Sequence, residues 1–288
     1  MALLIDERIA ERVRELEIPF NQHGIDPYGI SRTHLARAFT ILRFLFDRYF
    51  KVQVYGVENV PPRGRAMLVG NHSGGVAIDG AMVIASMFLK MNPPRLAQGM
   101  AEKFMNQVPF MSLWSNRTGQ FTGLPEHAMK LLEDERLLMV FPEGARGTAK
   151  LYRDRHSLVQ FGTGFMRLAM KTRTPIVPFA FIGGGEAIPT IANAYALGKL
   201  FGAPYVPITP YFFAIPLPVA LAVHYGEPMV FTGTGAEDDA VICGYVEQVK
   251  TRISALIEVG RQRRAAGGRA LPSSTGGASS ARSTMERP

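Results

Sequence analysis

The chain has 288 residues, 47% hydrophobic and 19% charged, which suffices for a sizeable core in one α/β domain or two small ones and excludes a disordered chain. The formal net charge is +8, but six Arg (261, 263, 264, 269, 282, 287) against one Glu (286) put +5 of it after residue 259 and leave a mildly basic body. The one cysteine, Cys243, excludes an intrachain disulfide and fits a reducing compartment.

Asp6, Glu7 and Arg8 break the first apolar run at once, so no signal peptide is read and a cytoplasmic location is expected. Residues 6–16 predict a short helix with Ile9, Val13 and Leu16 on one face, ended by Pro19. Ser31 is a candidate N-cap for a longer helix over 32–50. Leu35, Phe39, Leu42, Phe46 and Tyr49 form its apolar stripe, and Arg37, Arg43, Arg48 and Lys51 accompany it. That pattern fits a helix packed on the domain, and also a basic amphipathic helix on a membrane. Residues 1–50 thus form an N-terminal helical segment.

An alternation follows. Strands are expected at 52–57, 66–69, 137–141 and 176–182, and helices at 78–89, 126–135 and 165–171. This predicts an α/β domain over 51–259, with a mixed, largely parallel sheet flanked by helices. Later strands are expected at 220–225 and 229–231. A closing helix at 239–257 presents Val241, Tyr245, Val249 and Ile253. Residues 260–288, rich in Gly, Ser, Ala and Arg, read as a disordered basic tail. The uncharged stretch Ala203–Val223 is long enough to span a bilayer. Its five prolines each remove a backbone donor, so an apolar loop at a membrane boundary or over a substrate channel is expected instead.

Polar and glycine-rich groups gather just after strand C-termini, where open α/β sheets place their sites. The first group is Gly70-Asn71-His72-Ser73-Gly74-Gly75-Val76-Ala77-Ile78-Asp79. A histidine titrates near neutrality and can act as a general base. A carboxylate on its other ring nitrogen fixes the tautomer and stabilises the imidazolium. Asp79 is the nearest carboxylate, and the glycines allow the chain to curl toward it. Taken alone, the pair is weak evidence, since a lone His and Asp at such spacing are more often structural. The second group is Phe141-Pro142-Glu143-Gly144-Ala145-Arg146-Gly147-Thr148. Glu143 and Arg146 either form an ion pair, or Arg146 grips a phosphate or polarised oxygen while Glu143 orders the loop or the acceptor. The third is Pro175-Ile176-Val177-Pro178-Phe179, leading into Gly183-Gly184-Gly185-Glu186.

Taken in order from about Phe44 to Phe231, these blocks resemble the lysophospholipid/glycerol-phosphate acyltransferase superfamily, nearest its mono- and diacylglycerol acyltransferase-like branch. The resemblance implies the glycerolipid acyltransferase fold. It implies His72 and Asp79 as catalytic residues, with Asn71, Ser73, Gly74, Gly75, Arg117, Gly119, Glu143, Gly144, Arg146 and Pro178 at the substrate. Two departures stand out. The family's His and Asp are usually separated by four residues, whereas here position 77 is Ala and six residues precede Asp79. The family's second motif ends on a basic residue, whereas here the matching Asn116–Gly123 region has none after Gly119, leaving Arg117 on the other side. This admits a neutral glycerolipid acceptor.

The implied reaction is direct transfer of a fatty acyl group from acyl-CoA or acyl carrier protein to a hydroxyl of a glycerolipid at a membrane surface. It needs no cofactor and no metal, and no nucleic-acid motif is present. Two rivals stand beside it. A thioesterase or lipase using Ser73 lacks the Gly-x-Ser-x-Gly elbow. A non-catalytic membrane protein of the same fold would not require His72, Glu143 and Arg146 together.

Overall fold

A computed structural model of the protein describes residues 5–74, 78–101, 115–122, 125–200, 202–212 and 215–267. The N-terminal helices α1 (Glu7–Arg14) and α2 (Arg32–Phe44) are capped by Asp6 and Ser31, whose side chains accept the N–H groups of Ile9 and His34. A π-helical turn, Leu45–Tyr49, extends α2. Of the two readings of this segment, packing on the domain dominates, because Ile9, Val13, Leu35, Phe39 and Phe46 are all buried in the core. Phe44 nevertheless stays 61% exposed.

The strands are β1 (Gln53–Tyr55), β2 (Ala66–Gly70), β3 (Ala97–Ala101), β4 (Phe121–Thr122), β5 (Leu137–Val140), β6 (Ile176–Ile182), β7 (Ala192–Ala194), β8 (Val206–Ile208) and β9 (Ala222–Tyr225). The longer helices after α2 are α3 (Ile78–Lys90), α4 (Pro125–Glu133), α5 (Gly164–Lys171) and α6 (Asp239–Ala265). Among the described residues the main sheet has seven strands in the order β1-β9-β6-β2-β5-β3-β4. All neighbours pair in parallel except β6 and β9, so β1 and β9 run against the rest. The expected mixed, largely parallel α/β sheet is therefore present.

Every residue of β2, β5 and β6 is buried, as strands covered on both faces must be. Their alternation divides the core. Leu68, Met139, Phe179 and Phe181 face the cluster made with α1, α2 and α3. Met67, Val69, Leu138, Ala180 and Ile182 face the cluster made with α4, α5 and α6. The result is a three-layer sandwich whose parallel strands β2, β5 and β6 end together on one edge.

Several elements differ from the sequence reading. The closing helix α6 runs through Ala265 rather than stopping at Ile257, so residues 260–265 belong to the folded domain. Its buried stripe is Ile242, Val246, Val249, Ile253, Ile257 and Gly260, and Val241 is exposed. Both registers are apolar in sequence, and contact with the sheet selects one. Met229 makes only an isolated bridge to Ile176 in place of a strand. The Ala203–Val223 stretch contains β8 and opens β9, and no helix among the described residues is long and apolar enough to cross a membrane. Strands β7 and β8 form a separate antiparallel pair.

Candidate active site

Strand β2 ends at Gly70, and His72 emerges two residues later, above the C-terminal edge of the sheet. Asp79 stands in the first turn of α3, where the helix dipole favours a carboxylate. The side chains meet: His72 Nδ1 lies 2.6 Å from Asp79 Oδ2, with Asp79 fully buried and His72 12% exposed. The same carboxylate accepts the N–H of Ser73 at Oδ2 and of Gly80 at Oδ1, each at 2.8 Å. An ionised carboxylate so placed makes Nδ1 the donor and leaves Nε2, the nitrogen turned away, with its lone pair. The unusual spacing of His and Asp is thus compatible with a direct pair. Gly75 and Ala77 lie outside the described residues.

The imidazole is also held flat. It stacks on Phe141, with centroids 4.2 Å apart and planes at 15°. Phe141 meets Phe179 edge-on at 5.7 Å, and Phe179 meets Tyr225 at 6.0 Å. An aromatic face favours a cation above it, which assists a ring that gains a proton.

Glu143 follows β5 and is buried. One oxygen accepts the backbone N–H of His72 at 2.8 Å, and the other accepts that of Val159 at 2.9 Å. Its charge is met by Lys150, whose ammonium lies 2.9 and 3.1 Å from the two oxygens. Glu143 therefore ties the His72 loop to the 157–159 segment. Gly144 adopts φ 56°, which a side chain would disfavour. Gly147 packs against both key loops, since a Cβ there would stand 2.7 Å from the Cβ atoms of His72 and Glu143.

The other expected site residues separate into two groups. Ser73 and Gly74 sit with the dyad, and Ser73 Oγ is buried with no hydrogen-bond partner among the described residues. Asn71 is consumed by the fold, because its amide accepts from Phe181 N–H at 2.7 Å and donates to Phe181 carbonyl at 3.0 Å. Arg146 is not the partner of Glu143; it is exposed and donates to the Gln160 carbonyl at 3.3 Å. Arg117 donates to the Gly29 carbonyl at 3.3 Å, and its own carbonyl accepts from Ser31. Gly119 packs near Ile30, Leu96 and Gln98. Pro178 lies on the strand face opposite Phe179, beside Gly226 and near Leu256 of α6. Sequence reasoning missed Lys150, seven residues after Glu143, and the stacking role of Phe141, although Phe141 opens the block it singled out.

Comparison with known proteins bears on the family and the fold. The Acyltransferase family model matches residues 51–182. An uncharacterized protein of Mycobacterium tuberculosis is 34% identical over 243 residues, covering 81% of this chain and 67% of its own length. The human protein named DGAT1/2-independent enzyme synthesizing storage lipids is 24% identical over 208 residues, covering 72% of this chain and 60% of its own. The chain thus spans about two thirds of the mycobacterial relative and three fifths of the human one. Among solved structures, the 1-acyl-sn-glycerophosphate (LPA) acyltransferase PlsC from Thermotoga maritima aligns with a TM-score of 0.55 at 16% identity, over 80% of this chain and 82% of that one, and so shares the fold.

Proposed function

We propose, on the premise that the chain belongs to the glycerolipid acyltransferase superfamily, that it transfers a fatty acyl group to a hydroxyl of a glycerolipid, with His72 as the general base. The observation that carries this reading is the 2.6 Å pair of His72 Nδ1 and Asp79, with Nε2 facing away at the sheet edge.

In the proposed reaction Nε2 takes the acceptor hydroxyl's proton as its oxygen attacks the thioester carbonyl of acyl-CoA or acyl carrier protein. The C–O bond forms, the C–S bond breaks, and the proton passes from His72 to the departing thiolate. Asp79 orients the ring and stabilises the imidazolium. Glu143, through the His72 N–H, sets where the ring stands. Backbone amides around Gly74 are the candidates for stabilising the oxyanion. Hydrolysis through Ser73 has no support, since Ser73 Oγ makes no hydrogen bond to His72 and the Nδ1 partner is Asp79. Peripheral contact with a membrane is supported by exposed apolar side chains, among them Phe44, Leu200, Ile215 and Phe212, the last 82% exposed; that this is the cytoplasmic face is part of the proposal.

The test is incubation of the purified protein with labelled acyl-CoA or acyl carrier protein and a panel of acceptors: glycerol 3-phosphate, lysophosphatidate, monoacylglycerol, diacylglycerol and hydroxylated amines. The reading expects a labelled ester that requires a glycerol-based acceptor. Release of free fatty acid at the same rate without any acceptor would overturn it.

A further inference from the structure

A cleft of about 370 Å³ opens beside the Gly183–Gly185 turn, lined by His156, Glu186, Glu258, Arg261, Gln262 and Arg264. The turn joins it to the His72 loop. Gly184 packs so closely on Ser73 and Gly74, and Gly183 on Arg264 and Leu221, that neither has room for a side chain. Adjacent residues of one turn therefore touch the candidate catalytic loop and the basic wall of the cleft.

Each of the cleft's two carboxylates meets one guanidinium. Arg155 donates to one oxygen of Glu186 at 3.1 Å while the other oxygen is buried with no hydrogen-bond partner among the described residues, and Glu258 pairs with Arg261 at 2.9 Å. Arg264 donates to the Ala220 carbonyl at 2.7 Å and forms no ion pair among the described residues. A guanidinium carries five N–H donors, so Arg155, Arg261 and Arg264 retain donors beyond these contacts. Burial and the charges of Arg155, Arg261 and Arg264 hold the His156 imidazole below its ordinary value, against the pull of Glu186. In the Phe-Pro-Glu-Gly block Lys150 is taken by Glu143, while the exposed Arg146 donates to the Gln160 carbonyl at 3.3 Å.

We infer that this cleft is a phosphate subsite, in which Arg261, Arg264 and His156 receive a phosphate group of a substrate whose reacting end lies at the His72 loop. The phosphate belongs either to the nucleotide portion of an acyl-CoA donor or to the headgroup of a phosphorylated acceptor. Phosphate binding stands on the cleft alone, and its place in turnover rests on the acyl-transfer reading.

The test uses the full chain with four probes: coenzyme A, glycerol 3-phosphate, and their phosphate-free counterparts pantetheine and glycerol. Calorimetry gives affinities, and NMR follows the His156 ring, identified by its loss in His156→Gln. A phosphate-bearing probe is expected to raise the His156 titration midpoint, and its phosphate-free counterpart to leave it in place. The double variant Arg261→Gln/Arg264→Gln is expected to bind that probe about 10- to 100-fold more weakly. An effect confined to coenzyme A, confined to glycerol 3-phosphate, or shared by both supports the subsite and identifies its source. The inference is overturned if neither phosphate probe moves His156, or if the double variant binds both as tightly as the parent. Phosphate binding here in a chain that transfers no acyl group would leave the subsite standing and remove the acyl-transfer reading.

Discussion

Replacing Asp79 with Asn perturbs the dyad with little change of volume. The carboxylate accepts from three donors: His72 Nδ1 and Ser73 N at Oδ2, and Gly80 N at Oδ1. An amide has one acceptor oxygen and one donor nitrogen. With its oxygen toward His72 and Ser73, the amide nitrogen confronts the Gly80 N–H; flipped, it confronts the other two. Either way one donor faces another inside a fully buried site, which costs about 1–3 kcal/mol of stability. The amide also weakens the hold on the productive tautomer and removes the charge that stabilises the imidazolium. The expected loss in kcat is about 10³–10⁴-fold, by analogy with the corresponding substitution in a serine protease triad, with a smaller change in KM. Release of free thiol from acyl-CoA gives the rate, corrected for the constant signal of the single exposed Cys243. A folded Asp79→Asn protein retaining more than a tenth of parental kcat would refute the role of this carboxylate.

Lys150→Met leaves Glu143 buried without its countercharge and should cost about 3–5 kcal/mol; an unchanged urea midpoint would contradict the pair. Gly147→Ala places a methyl 2.7 Å from the Cβ atoms of His72 and Glu143 and should lower kcat/KM about 10²-fold, with the secondary structure intact by circular dichroism. His224 is stacked on Tyr55, and burial, with Arg263 nearby, pushes its imidazole down to about 4. The folded protein thus prefers the neutral ring. Its contribution is complete above about pH 6.5 and is lost as pH falls toward 4, by on the order of 2 kcal/mol allowing for residual solvent contact. His224→Phe should flatten that part of the melting-temperature profile, and superimposable profiles for the two proteins would contradict this.

Much of the architecture was legible because the strands that form the site are apolar throughout. Ala66–Val69, Leu137–Phe141 and Ile176–Ile182 could be read as buried strands whose ends carry polar residues. Strand β3, Ala-Gln-Gly-Met-Ala, has no β-branched or aromatic residue and is a strand because β5 and β4 pair with it. The buried face of α6 was misread by one residue in its first turns, since Val241 and Ile242 both fit an apolar stripe and only packing distinguishes them. In the site, Asp79 could be found as the nearest carboxylate to His72, but Arg146 was the wrong partner for Glu143. The chain turns at Gly144, where φ is 56°, and it is Lys150, not Arg146, that reaches the carboxylate; no spacing rule encodes that. Asn71 and Pro178 belong to motifs and yet serve the sheet.

The account stands most directly on His72. Parental protein and His72→Ala, matched for melting temperature, can be given labelled acyl-CoA and the acceptor that the panel identifies, and the ester product measured. The account predicts a loss of at least about 10³-fold in turnover for the variant, no smaller than that of Asp79→Asn, because the group that takes the hydroxyl proton is gone. Near-parental ester formation by a folded His72→Ala protein would contradict it.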